Sequence, residues 1–325
     1  MAYRPLEERY GKRSARRIWQ MTHRAMLDCA ATLRRLRVRC QFDNQDAIYF
    51  TTSPDDLMSL NRELQARRAA GLEATWLTAE RLRLATQLRG HGGIRTRGNG
   101  QLDPYCACLG LAAAAADRGA MICERSPATR IYFDSKGVEI TTEGGTLRAK
   151  RAVIATGSAS PLVKPLERHL RQMQTYAVMT PPLGAKIRAE LGQRNAILRD
   201  TSEPYHHLRW TRDNRVLFGG AGQPPTPSRQ REKILVQRTG QLMYELSMLY
   251  PVISGIQPEQ AWDGIITTTS DGLPYIGPHR NYPNHLFALG HGGNGLTLGF
   301  LASRVLLRYH MGAQKKGDEL FGFGR

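Results

Sequence analysis

Residues 284–312 read NHLFALGHGGNGLTLGFLASRVLLRYHMG. An apolar segment, Leu286 to Leu289, runs into a glycine turn, and the turn runs into an apolar stretch of helical length. Gly290, Gly292 and Gly295 satisfy G-x-G-x-x-G. In a nucleotide fold such glycines let backbone N–H groups approach a pyrophosphate at a helix N-terminus. That use needs a second strand after the helix and an acidic residue about 20 residues further on for the ribose. Here the helix from Leu296 is nearly the last element, and residues 301–311 contain no carboxylate. The turn is therefore not a first nucleotide loop. Taken alone it reads equally well as a close crossing of helix and strand.

Its neighbours add weight. VIATG (153–157) ends a strand in small residues that leave room for a flat group. Ala152 to Ala155 is apolar on both faces, as expected of a strand inside a parallel sheet. TSDGLPYIG (269–277) reads as a tight turn followed by a short apolar strand, with WDG (262–264) just before it.

The bulk numbers narrow the class. The 325 residues suffice for two ordinary domains, and 41% apolar content provides a core. No apolar run is long enough for a bilayer, and the N-terminal MAYRPLEERYGKRSARR has no signal-peptide core, so the cytoplasm is the expected compartment. Cys29, Cys40, Cys106, Cys108 and Cys123 form no C-x-x-C pair, so neither a metal site nor a disulfide framework is expected. The net charge of +18 could attract nucleic acid, but the arginines are spread along the whole chain and no nucleic-acid partner is expected.

Along the chain, Trp19, Met26, Cys29, Leu33 and Leu36 recur at helical spacing within a helix from about Leu6 to Leu36. DAIYFTTS is a strand, and Ser53-Pro54 opens a helix that stops at Gly71. Asp103-Pro104 opens another that Gly119 closes, and AMICE (120–124) reads as a strand. Residues 129–157 read as three hairpin-linked strands with turns at 135–137 and 144–145, then a buried strand. From Leu170 to about Gly264 the texture is β-rich and mostly antiparallel, interrupted by one helix from Ser228 to about Met248. The fold class is α/β plus α+β, woven along the chain: residues 1–88 and 168–262 in one part, 89–167 and 263–325 in the other.

VIATG, W-x-G followed by DGLPYIG, LFALGHGGNGLTLG, LDPYCACLGLAAAAADRGAMICERSPATRI and the closing DELFGFGR together resemble the D-amino-acid-oxidase-like (DAO) family of FAD-dependent oxidoreductases. The resemblance implies a flavin domain of the glutathione-reductase type and an antiparallel-sheet substrate domain that caps the flavin ring. It places the backbone of Arg130 and Ile131 beside the adenine. Ala155, Thr156 and Gly157 would border the ribityl chain and pyrophosphate. Gly290, His291, Gly292, Gly293, Asn294, Gly295 and Leu296 would offer N–H donors to the O2/N1 edge of the flavin, where reduced flavin carries negative charge. For Thr156 and Asn294 ordinary turn chemistry is the alternative.

Members of the family begin with a strand, a true G-x-G-x-x-G and a helix, and this sequence resembles the segment after them. The flavin domain is therefore expected to be incomplete, its first βαβ missing. Two unpaired ladder edges, an uncovered apolar face, and poor or no FAD binding by the chain alone are expected. The function implied is oxidation of an amine or amino acid by hydride transfer to flavin, with O2 or another acceptor reoxidising it. An inactive fragment or partner subunit is the alternative. Relatives that oxidise α-amino acids carry an arginine four residues after the tryptophan of W-x-G. Here that position is Ile266, which points to the amine-oxidising branch, near γ-glutamylputrescine oxidase; Arg209 is another candidate to hold a carboxylate. Alternation puts Tyr205 and His207 on one strand face as candidate substrate-lining residues, unless both are ordinary sheet residues.

Overall fold

The computed structural model describes residues 2–134, 136–192 and 196–325. The chain runs through α1 (Tyr3–Arg35), β1 (Asp43–Thr51), α2 (Leu57–Ala69), β2 (Thr75–Thr78), α3 (Ala79–Thr86), β3 (Gly92–Gln101) and α4 (Pro104–Ala116). Next come β4 (Arg130–Phe133), β5 (Val138–Thr142), β6 (Gly145–Ala149), β7 (Ala152–Gly157), β8 (Leu170–Met179) and α5 (Ala185–Glu190). It ends with β9 (Ala196–Asp200), β10 (His207–Trp210), β11 (Val216–Gln223), α6 (Arg231–Leu249), β12 (Gln260–Thr269), β13 (Tyr275–His279), β14 (Tyr282–Leu289) and α7 (Gly295–Met311).

Eight strands form one large sheet in the order β12-β8-β11-β10-β9-β1-β3-β2. Every junction is antiparallel except β1 with β9, so the sheet is mostly antiparallel, with one parallel pair. Alternation decides its two faces. Leu198, Leu208, Trp210 and Phe218 point to one side and pack with Leu242, Leu246 and Leu249 of α6. The intervening positions, Ile197, Arg199, His207 and Arg209, point to the other. β3, placed beyond the 88/89 division from the sequence, hydrogen-bonds into this sheet between β1 and β2. β12 continues in it through Thr269, past the 262/263 division.

β13, β14 and β7 form a second sheet, with β14 parallel to β7. α7 lays Leu298, Leu301, Ala302 and Val305 on Ile276, Leu286 and Ala288 of that sheet. The same core takes Leu6, Ala15 and Ile18 from α1, with Trp19 packed against it, while Cys29 and Leu33 of the stripe read from the sequence pack in a separate cluster with Cys40 and Ala107. Gly11 (φ 73°, ψ 160°) bends α1 so that residues on both sides of the bend reach this core.

The caps behave as read. The Ser53 and Asp103 side chains accept from the N–H groups of Asp55 and Cys106. Gly119 (φ 89°) closes α4, with Ala120 N donating to the Ala115 carbonyl at 3.1 Å.

Two expectations are corrected. AMICE (120–124) is not a strand: among the described residues no strand lies along it, and Met121 is 88% exposed. β7 is not buried on both faces: Ala152 and Ile154 are buried, whereas Val153 is 56% exposed and Ala155 is open. It is an edge strand among the described residues, with β14 on one side only. Of the 135–137 turn, Ser135 lies outside the described residues. No helix among the described residues is long and apolar enough to cross a membrane.

Candidate active site

The two stretches singled out in the sequence meet. β14 and β7 run side by side, with Leu286 opposite Val153 and Leu289 opposite Gly157, so both end at one level. There the Gly290 N–H donates to the Gly157 carbonyl at 2.8 Å. Crevices outside the carboxyl ends of parallel strands are the usual ligand sites of such sheets.

The glycines have specific reasons to be there. Gly290 has φ 77°, and a Cβ on it would lie 2.7 Å from Thr269 Cγ2 and 3.1 Å from Leu170 Cδ2. The turn is thus pressed onto the ends of β12 and β8, with no space for a side chain. Gly293 is the opposite case: it faces the large sheet, and a Cβ there would sit 3.0 Å from the Tyr205 hydroxyl. The loop before β10 therefore meets the turn through Tyr205.

A neighbouring turn fixes the base of the site. The Asp271 carboxylate accepts from Thr269 Oγ1 at 2.6 Å, Leu273 N at 2.9 Å, Arg325 Nε at 2.7 Å and the Tyr10 hydroxyl. Burial opposes its charge, but the hydrogen bonds from Arg325 and the others win and hold it far below the usual carboxylate range. Burial and Asp271 push the Tyr10 phenol up to about 12. Arg325 also lies 4.0 Å over the Tyr275 ring, which gives the closing DELFGFGR its purpose.

A cavity of about 330 Å³ opens between α1, the exposed face of the large sheet and the first turn of α7. Trp19 and Met26 line one wall, Tyr49, Ile197 and Arg199 another, and Asn294 and Thr297 the end nearest the glycine turn. Asn294 makes no side-chain cap, and the first turn of α7 holds no acidic residue. The N–H groups and positive dipole end of a 17-residue helix therefore face this end.

The sequence-derived site residues divide accordingly. Tyr205 reaches the turn. His207 packs its ring against Gly219, where a Cβ would approach within 2.4 Å, and burial takes it down to about 4, so it is neutral near pH 7. His206, between them, turns to the α6 side. It stacks on Phe218 at 5.2 Å, with Nδ1 2.7 Å from Asp200 and Nε2 3.0 Å from Glu245. Thr156 donates to the Ser158 carbonyl at 2.6 Å, the turn chemistry weighed for it. His291 is kept neutral by burial, and its Nε2 has no partner among the described residues. Arg130 is exposed at the start of β4, while Ile131 packs beneath the junction with Ile154, Phe287 and Leu289. Arg209 is committed to the Leu102 carbonyl at 3.1 Å, and Ile266 pairs with Met173 at the far edge of the sheet.

The sequence reading missed Arg199, Tyr49 and the α1 wall. The signal for Arg199 was present: AILRD alternates, and Arg199 shares a face with Ile197 rather than with the solvent.

A family model described as FAD dependent oxidoreductase (DAO) matches residues 3–308. The chain belongs to this family of FAD-dependent oxidoreductases. It is 28% identical over 255 residues to glycine oxidase from Geobacillus kaustophilus, covering 77% of this chain and 65% of that protein. It is 24% identical over 319 residues to gamma-glutamylputrescine oxidoreductase from Escherichia coli, covering 96% and 72%. The crystal structure of the Geobacillus kaustophilus glycine oxidase superposes with a TM-score of 0.79 at 23% identity, over 93% of this chain and 81% of that one. A dithionite-reduced L-alpha-glycerophosphate oxidase from Mycoplasma pneumoniae with FAD bound gives 0.73 at 15% identity, over 89% and 79%. The match spans less than two thirds of the length of these glycine oxidases, 58% to 65%.

The cofactor of the family is FAD, and the residues here suit its ring end. Nothing lies within 4 Å of where a Cβ would stand on Gly157 or Gly295, so a flat group can approach the backbone there. The bare first turn of α7 suits an atom edge that gains negative charge.

Proposed function

We propose that this chain carries the flavin-facing and substrate-binding site of an oxidoreductase acting on a small amine or amino acid. The observation that carries the reading is the meeting of the two strand ends, Gly290 N–H on the Gly157 carbonyl, beside a turn whose Asn294 and Thr297 line a cavity floored by the large sheet. In this reading residues 290–296 hold the flavin edge, 155–157 border its chain, and Arg130 and Ile131 lie toward the adenine. Tyr205 is the first candidate to touch substrate, with His207 behind it. The large sheet, including β3 and β12, forms the substrate part; β4 to β7, β13, β14 and α7 form the flavin part.

When bound, FAD supplies the two-electron acceptor, so that the amine becomes an imine which water hydrolyses to an aldehyde or keto product. The protein's residues do the rest. Trp19, Met26 and Ile197 exclude water from the cavity. The dipole end of α7 and the Arg199 guanidinium raise the local potential, which favours the unprotonated amine that hydride loss requires. O2 or another acceptor completes the cycle. The family match over residues 3–308 supports this reading over an inactive fragment or partner subunit.

The test is anaerobic mixing of the FAD-loaded protein with a panel of small amines and amino acids. Bleaching of the flavin's visible absorbance by at least one of them is expected, slowed by Tyr205→Ala. A flavin that dithionite bleaches but no amine or amino acid does would sink the reading.

A further inference from the structure

The cavity has a polar end at the glycine turn and an apolar end away from it. Its floor is two rows of side chains on one face of the large sheet. Arg199, Tyr49 and Ile94 stand side by side across β9, β1 and β3, and Ile197, Ala47 and Thr96 form the next row. Arg199 marks the turn end: its guanidinium lies 3.8 Å over the ring of Tyr205, whose hydroxyl reaches Gly293. Asn294 and Thr297 close the same end. From β9 the floor runs two strand spacings, about 10 Å, to β3.

Toward β3 the polar side chains are spent on the protein itself. Arg67 donates to Glu63 at 2.7 Å and to Thr96 Oγ1 at 3.2 Å. Thr22 Oγ1 donates to the Ile18 carbonyl at 2.9 Å, and Asn99 Nδ2 to the Thr96 carbonyl at 2.9 Å. His23 Nε2 lies 3.3 Å from the Gly98 carbonyl. Hydrocarbon remains: Trp19 and Met26 of α1 on one wall, and Ile94, Ala47 and Ile197 on the floor. Ala47 is the smallest side chain of that floor and stands on its middle strand. At about 330 Å³ the cavity has room for roughly ten water-sized groups, more than the smallest amino acids fill. Unfilled apolar space forfeits dispersion contacts, and water finds no partners in it, so a fold that keeps such space has a guest of matching chemistry.

We propose that the substrate carries a hydrocarbon arm that lies over Ala47 toward Ile94, and that Ala47 is the specificity residue that sets the arm's length. This rests on the substrate-cavity reading above and narrows it to amines or amino acids with an apolar arm. A glycine-sized substrate leaves the β3 half empty. A polar group at the tip of the arm is disfavoured, because the side-chain donors and acceptors named there are already paired.

The experiment is calorimetric titration of the chain with ethanol, n-butanol and n-hexanol, and with the pentanediol that has a hydroxyl at each end and matches hexanol in length. No flavin or turnover is needed, so failure here and failure of the oxidoreductase reading are separable. Saturable binding should tighten about fourfold for each added methylene, and the diol should bind at least about tenfold more weakly than hexanol. Ala47→Leu fills the floor and should weaken hexanol binding by about tenfold or more, and ethanol binding much less. In turnover, Ala47→Leu should raise KM for a long-armed amine more than for a short one. Equal binding of hexanol and the diol, no gain with length, or undiminished hexanol binding by Ala47→Leu overturns the proposal. If Ala47→Leu fails to fold, the comparison of hexanol with the diol on the natural protein still decides.

Discussion

One substitution, glycine to alanine, should have opposite signs at two positions nine residues apart, Gly290 and Gly299, and the difference tests how the turn is built. At Gly290 φ is 77°, and an added Cβ meets Thr269 Cγ2 at 2.7 Å and Leu170 Cδ2 at 3.1 Å. Left-handed backbone costs an L-residue about 1–2 kcal/mol, and forced overpacking typically costs about 1–3 kcal/mol. Gly290→Ala should therefore destabilise the protein by about 2–5 kcal/mol and pull the turn off Gly157. At Gly299, inside α7, nothing lies within 4 Å of the added Cβ and φ is helical. Gly299→Ala should stabilise by about 0.5–1 kcal/mol through the loss of unfolded-chain entropy. Equilibrium urea unfolding of both variants beside the natural protein measures the difference through the midpoints at unchanged slope. A Gly290→Ala midpoint at or above that of the natural protein would refute the account of the turn as a tight backbone contact against β12 and β8.

Other outcomes follow from the same geometry. Arg325→Met leaves Asp271 buried without its main partner and should cost about 3–5 kcal/mol in the same urea assay. Asp271 is held below its unfolded value, so its contribution is present above about pH 4 and is lost as the pH falls; Asp271→Asn should flatten that acid limb. Burial pulls His206 down, but Asp200 and Glu245 outweigh it and raise it to about 9. Its contribution is therefore complete below about pH 6.5 and fades as the pH rises to about 9, and His206→Gln should remove that slope from a stability profile. Gly293→Ala crowds the Tyr205 hydroxyl, and Tyr205→Phe should relieve it, so a double-mutant cycle should show coupling of about 0.5–3 kcal/mol.

Much of this was legible because the informative residues were punctuation. The glycines of 290–295, the caps at Ser53 and Asp103 and the close at Gly119 act over a few residues, and local rules decide them. AMICE failed for the opposite reason: it has strand composition, but a strand exists only when another strand pairs with it, and none does among the described residues. The pairing of β14 with β7 depends on two segments more than a hundred residues apart, so only the resemblance could anticipate it. Tyr205 and His207 were named from alternation, yet β10 starts at His207, and Tyr205 sits before it in a loop. That loop carries Tyr205 to the turn, while His207 stays on Gly219. Arg199 stands out less: the alternation of AILRD puts it on the face of Ile197, but in a chain of net charge +18 an arginine draws attention only once its place beside Tyr49 and Tyr205 is known.

Amide hydrogen exchange with and without saturating FAD tests the central claim most directly, because it reads the backbone donors themselves and tolerates weak binding. The account predicts slowed exchange on FAD addition at residues 290–297 and 155–158 together, with the α6 side of the large sheet unchanged. Protection confined to other segments, or at only one of those two stretches, would contradict it.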